Sequence, residues 1–266
     1  MFGIINVYKP RGMTSHDVVS VLRKITKIKQ IGHTGTLDPF AEGVLPICIG
    51  KATRLIEYLP DDKAYIGTVQ LGKSTTTYDI EGDIVNVSNK CVTLSELEEA
   101  LSHFVGEIEQ YPPMYSAIKI EGKKLYEYAR KGETVEIKPR KVEIICLKLL
   151  NYDTKLNQAE IYIECSKGTY IRSIANDLGE NLGTYGHLIK LVRSKAGIFS
   201  IENSINLKDI QSFDDVQKYL INPIEYIKLP CYNIDETNLN RISNGNSIKL
   251  DISRSEERRV GKECRS

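Results

Sequence analysis

The chain has 266 residues, 41% hydrophobic and 27% charged, with a net charge of +1. This is an ordinary globular composition, sufficient for one large packed domain plus a small appendage, and the net charge by itself argues neither for nor against nucleic acid. No long apolar run is present and the N-terminus lacks a basic-then-apolar leader, so we expect a cytoplasmic protein that neither spans a membrane nor is secreted.

GIINVYKP (3–10) reads as a strand ending at Pro10. Thr14-Ser15 then caps a helix running to about Lys27, with Val18, Val19, Leu22 and Ile25 on one face. A Gly-rich loop follows at 31–43. VLPICIG (44–50) is strand-like, with Pro46 suggesting an edge or an irregular start. A short helix over 51–59 and an alternating strand over 64–72 come next. TLSELEEALSHFVG (93–106) reads as a helix capped by Thr93, boxed by Glu96 and ended by Gly106. Strand character appears around 114–120, 134–137, 142–150 and 158–165, with a short amphipathic helix at 124–132. A helix over 171–183 and a strand or strand pair over 187–200 close the pattern. Strands and helices in mixed order, without a regular βαβ repeat, predict an α+β fold with a central mixed or mostly antiparallel sheet flanked by helices.

The cysteines (48, 91, 146, 165, 231, 264) form no C-x-x-C pair, and the histidines (16, 33, 103, 187) are scattered. Buried thiols are therefore expected, with no zinc site and no disulfide framework. Charge is unevenly distributed. Residues 9–33 and 117–141 are rich in Lys and Arg, whereas 79–110 is acidic with Lys90 as its one cation. The basic segments suit a phosphate backbone, or are solvated helix faces. Residues 67–74 fit the pattern GxxxxGK[ST], but the middle positions alternate as a strand and a poor helix start follows, which argues against a P-loop.

The loop Gly32-His33-Thr34-Gly35-Thr36-Leu37-Asp38-Pro39 is the most unusual stretch. Its glycines permit close backbone approach, and Pro39 restricts Asp38 to extended geometry. One carboxylate is thereby held in a fixed pose, either as a reactive group or as the acceptor of a local Asx turn.

GHTGTLDPFAEGVLPICIGKATR resembles the catalytic motif of the TruB family of tRNA pseudouridine synthases. Four further segments match that family in order: YKPRGMTSHDVV (8–19), 63–85, 111–136 and 165–200. The resemblance implies a pseudouridine synthase fold, isomerisation of uridine 55 in the tRNA T-loop, no cofactor and no metal, and a monomer whose partner is the T-arm. It implies that Asp38 is the nucleophile, that Tyr65 stacks on the target base, that Arg172 pairs with the aspartate, and that Leu191 lines the uracil pocket. His33 would fill the space left by the flipped base, and Lys9 and Pro10 would support the site. Read alone, Tyr65 is more often a sheet-packing tyrosine, Leu191 a core residue, His33 a loop histidine and Arg172 a surface residue at a helix start. The nucleophile could attack C1′, add to C6 or assist loss of the C2′ proton. A non-catalytic RNA-binding module and a guide-RNA-dependent relative are the competing readings. Asp38, Tyr65 and Arg172 together argue against the first, and the short N-terminus without long basic extensions argues against the second.

The domains expected are a catalytic unit over 1–228 and the start of a truncated PUA-like domain over 229–253. Strand pieces are expected at 232–234 and 247–250. Residues 254–266 (RSEERRVGKECRS) resemble no part of the family and read as a foreign tail that is disordered and dispensable.

Overall fold

The structure is a computed structural model and describes residues 1–227, 229 and 234–248. The chain opens with β1 (Gly3–Lys9) and α1 (Ser15–Thr26), followed by β2 (Ile31–His33) and β3 (Glu42–Ile49). Thr14 caps α1 through a reciprocal box with Asp17. The expected helix at 51–59 is instead a 3₁₀ segment, Gly50–Tyr58. Next come β4 (Lys63–Leu71), the hairpin β5 (Lys73–Thr75) and β6 (Ile84–Val87), and α2 (Leu94–Ser102). The Thr93–Glu96 capping box is present as expected. The helix stops short of Gly106, however, and Gly106, at φ +101°, opens β7 (Gly106–Gln110).

Around 114–120 only β8 (Lys119–Ile120) forms, hairpinned to β9 (Lys123–Lys124), and α3 (Leu125–Arg130) follows. The strand expected at 134–137 is absent: that segment has no regular structure. The order then runs β10 (Arg140–Asp153), β11 (Gln158–Cys165), α4 (Ile171–Asn181), β12 (Gly186–Ala196), β13 (Phe199–Ser200), β14 (Ile205–Asn206), α5 (Phe213–Lys218) and α6 (Glu236–Ser243). The last helix buries none of its residues. Of the strand pieces expected at 232–234 and 247–250, the described residues Ile234, Ser247 and Ile248 are not in strands, and the rest lie outside the described residues, as does all of 254–266.

The main sheet runs β14-β1-β3-β12-β4-β11-β10-β7, with β2 added to β3 and β13 to β12. The β1–β14 and β3–β12 pairs are parallel and the remaining pairs antiparallel, so the sheet is mixed as expected. Alternation along each strand divides the core. Ile5, Val7, Leu45, Ile47, Val69, Ile161 and Ile163 join residues of α1, α2 and α4 in one large cluster. Ile4, Val44, Cys48, Ala52 and Leu59 form a smaller cluster on the other face, beneath the 3₁₀ segment. The P-loop pattern is thereby accounted for: 67–71 lies inside β4, hydrogen-bonded on both sides by β11 and β12.

β3 is an interior strand, contrary to the edge position suggested by Pro46. The Pro46 carbonyl accepts from the Thr34 amide (3.1 Å), on the side away from β1, between the stretches of β3 that pair with β2 and with β12. The missing N–H faces that gap, so the β1 ladder loses nothing. Close backbone approach fixes α4 on the sheet. A Cβ at Gly179 would lie 2.0 Å from the Gly186 amide nitrogen, so only glycine permits this seating.

Candidate active site

Asp38 lies on the loop between β2 and β3, and the backbone is fastened on both sides of it. The buried Ser15 hydroxyl accepts from the Leu37 amide (2.8 Å) and donates to the Leu37 carbonyl (3.0 Å). The Pro39 carbonyl accepts from the Gly12 amide (2.8 Å) and from Lys9 Nζ (3.4 Å). Leu37 and Phe40 are buried, while the Asp38 side chain remains 34% exposed. Rigid backbone under a reachable carboxylate is what a reacting group requires.

Among the described residues the Asp38 carboxylate makes no hydrogen bond to nearby backbone, so the Asx-turn alternative is not formed. Its partner is Arg172, the second residue of α4, whose Nε lies 3.0 Å from Asp38 Oδ2. The Nε–H makes no aligned hydrogen bond, so the contact is an ion pair only. Arg172 is 4% exposed, which corrects the surface placement that its position at a helix start suggests. Its other nitrogens each make a hydrogen bond: Nη1 donates to the Thr77 carbonyl (3.0 Å) and Nη2 to that of Tyr115 (2.9 Å). The helix start is itself anchored by buried Gln110, which bonds both the carbonyl and the amide of Tyr170.

Sequence reasoning did not single out Asp79. It is 3% exposed, and its Oδ2 lies 3.3 Å from Arg172 Nη1. Thr77 Oγ1 (2.6 Å) and the Glu81 amide (3.0 Å) donate to its other oxygen. Burial pushes the Asp79 carboxyl above its usual range, opposed by the Thr77 hydrogen bond and by Arg172. Glu81 is raised too, by burial and by the charges of Asp79 and Asp38. One buried guanidinium thus serves a cluster of carboxylates.

Tyr65 lies on β4, in register with Ile163 on β11 and with Arg193 on β12. It is 7% exposed, and burial raises its phenol to about 12 against the opposing charge of Arg193. Leu191 is buried on β12 beside a register shift between Leu188 and Lys190, and its Cδ1 covers Gly67.

Lys9 is fully buried. Its Nζ donates to the carbonyls of Pro10 (3.0 Å), Met13 (2.6 Å) and Pro39 (3.4 Å). Burial lowers it to about 8, with Asp38 acting in the opposite sense. Pro10 follows β1 directly and holds this turn through its carbonyl. His33 stands on β2 at the root of the loop, with no hydrogen bond or ion pair to Asp38 or Arg172. Burial and the nearby Arg193 charge lower its pKa. The structure therefore brings Asp38, Arg172, Lys9 and Tyr65 to one place, with Leu191 on the same side of the sheet and His33 apart from the ion pair. Among the described residues no His, Cys, Asp and Glu groups are arranged to hold a metal, and no helix is long and apolar enough to cross a membrane.

The chain is also similar to known proteins. Residues 23–171 match the family model for the N-terminal domain of TruB family pseudouridylate synthases, and 172–227 match that for the C-terminal domain of tRNA pseudouridylate synthase B. The tRNA pseudouridine synthase B of Caldanaerobacter subterraneus is 48% identical over 93% of this chain and 86% of its own length. The same-named protein of Staphylococcus haemolyticus is 48% identical over 91% of this chain and 84% of its own length. Among solved structures, a Cbf5-Nop10-Gar1 complex contains a chain that is 30% identical, with a TM-score of 0.62 over 82% of this chain and 56% of that one. An H/ACA RNP bound to a substrate RNA containing 2′-deoxyuridine gives a TM-score of 0.61 at 28% identity, over 82% of this chain and 55% of that one.

Proposed function

This chain belongs to the TruB family of pseudouridylate synthases, and from that premise we propose that it isomerises uridine 55 in the T-loop of tRNA with Asp38 as nucleophile. The enzyme is an RNA pseudouridine synthase. In the reaction the N1–C1′ bond breaks, the uracil turns, and C5 bonds to C1′. The C5 hydrogen leaves as a proton and N1 carries one in the product.

A base stacked inside a folded T-loop is out of reach, and extruding it costs a few kcal/mol. Stacking on the Tyr65 ring returns about 1–3 kcal/mol of that. Arg172 pairs with the Asp38 carboxylate and holds it towards the extruded nucleotide. Leu191 gives the uracil an apolar wall, His33 occupies the space the base vacates, and Lys9 with Pro10 holds the turn against the Asp38 loop. The exposed cations Lys119, Lys123 and Arg130 lie on the segment that meets the phosphates of the T-arm. The protein acts as a monomer in the cytoplasm.

The observation that carries this reading is the 3.0 Å contact between a buried arginine and a solvent-reachable aspartate on an anchored loop. Formation of the C5–C1′ bond expels the hydrogen at C5. A tRNA transcript labelled with tritium at C5 of every uridine should therefore lose one tritium per molecule. Replacement of uridine 55 by cytidine should abolish the release. Release that persists in the cytidine transcript would contradict the assigned position.

A further inference from the structure

Among the described residues Arg193 is the largest fully buried side chain, at 0% exposure. Among the described residues no carboxylate pairs with it. A buried cation without a counter-charge is expensive even when hydrogen-bonded, and the neighbouring lysines add to the expense. Lys9, which is buried, and Lys63, which is half-buried, both lie close enough that, after desolvation, the Arg193 charge contributes to lowering them. A residue tolerated under such conditions has a task that packing alone would not require.

Its contacts identify the task. Nε donates to the Val44 carbonyl (2.7 Å), Nη1 to that of Thr36 (3.2 Å) and Nη2 to that of Gly35 (3.2 Å). Gly35 and Thr36 precede Asp38 on the loop, whereas Val44 lies beyond it on β3. One planar fork therefore spans both limbs of the loop that carries the carboxylate. The Arg193 backbone seals the same junction. It pairs with Gly43 in the parallel β3–β12 contact, and a Cβ at Gly43, which sits at φ +111°, would lie 2.3 Å from the Arg193 carbonyl oxygen. On its other side Arg193 stands in register with Tyr65.

We infer that Arg193 is a positioning residue for the reaction: it clamps the two limbs of the Asp38 loop to β12 and so fixes the carboxylate and the Tyr65 ring in one frame. The clamp works through geometry. Lysine would supply the charge but not the three-way planar fork that meets carbonyls on both limbs at once. Arg193 touches no reacting atom, so its effect is exerted through Asp38 and Tyr65. A misplacement of the order of 1 Å at a reacting group can cost about 10²-fold in rate.

The inference rests on the function proposed above, and one of its readouts is independent of that function. Arg193→Lys and Arg193→Gln, each in the full chain, are compared with the wild type by single-turnover tritium release at saturating enzyme, by tRNA Kd and by amide hydrogen exchange. Both variants should remain folded and bind tRNA within about threefold of the wild type. Both should react about 10²-fold more slowly, with lysine no better than glutamine. The amides of Leu37 and Ala41, on either side of Asp38, should exchange faster while those of β11 do not change. Unchanged exchange in the loop would overturn the clamp, and so would a lysine variant within threefold of the wild-type rate. A rate loss fully explained by weaker affinity would also overturn it. Failure of both variants to fold would assign Arg193 to the fold rather than to positioning. A wild type that releases no tritium would contradict the proposed function, and loop exchange would then decide the clamp by itself.

Discussion

Arg172 Nε lies 3.0 Å from Asp38 Oδ2, and the two ends of this contact differ sharply in environment: the arginine side chain is 4% exposed and the carboxylate 34%. Arg172 is held by carbonyls of Thr77 and Tyr115 and by buried Asp79. The aspartate is therefore the end free to engage a substrate.

Removing the arginine should reveal what Asp79 contributes. Arg172→Met strands a carboxylate that is 3% exposed and should destabilise the fold by about 3–5 kcal/mol. Adding Asp79→Asn should restore most of that stability while leaving the enzyme inactive, because Asp38 still lacks its partner. Urea unfolding and tritium release on the single and double variants check both statements. A double variant as unstable as Arg172→Met would show that the Arg172–Asp79 contact is not the source of the loss.

Tyr65 should separate ring from hydroxyl. Tyr65→Phe preserves the stacking face and should bind tRNA normally but react slowly, whereas Tyr65→Ala should also bind less productively. Binding titrations and single-turnover rates distinguish the two. Wild-type rates in both variants would leave Tyr65 as a sheet-packing residue.

Much of this arrangement is legible in the sequence, and the remainder has physical reasons for being hidden. The Thr93–Glu96 box and the alternation in 64–72 and 158–165 are local signals, and the corresponding helix and strands form. β7 is GEIEQ, an edge strand whose acidic residues face outward, so it carries no apolar alternation. Pro46 misleads because its tolerance depends on a gap between two neighbouring strands, which is a property of the sheet rather than of the segment. The Asp38–Arg172 pairing spans 134 positions and came from family resemblance, not from spacing. Asp79 reads as an ordinary turn residue in TYDIEG, and only tertiary packing buries it. Arg193 lies two residues beyond Leu191 on the same strand, so period-two alternation does point it inward. Its charge conceals that signal.

Lys9 provides a test by pH. Burial lowers it from 10.5 to about 8, so between these values the unfolded chain binds the proton and the native chain does not. Stability rises with pH wherever the unfolded state binds more protons. Wild type should therefore gain on Lys9→Met as pH rises from 8 to 10.5, by roughly 3 kcal/mol at about 1.4 kcal/mol per pH unit. Chemical unfolding of both proteins across this range checks the sign. A constant difference would mean that Lys9 titrates normally.

Lys119, Lys123 and Arg130 are exposed, whereas Lys124 is half-buried, with Nζ 3.3 Å from the Tyr126 hydroxyl. Charge reversal at the three exposed positions should weaken tRNA binding and flatten its salt dependence. Removing one cation from a phosphate should reduce the log–log slope by about 0.7–0.9. An unchanged slope would show that this segment does not meet the RNA.

The central claim, that Asp38 carries out the isomerisation, is tested most directly by single-turnover tritium release from tRNA labelled at C5 of uridine 55 alone, using wild type and Asp38→Asn. Affinity comes from many phosphate contacts, so the variant should bind tRNA within about tenfold of wild type. It should release no tritium, while the wild type releases its label completely. Measurable release by a clean Asp38→Asn preparation would contradict the assignment.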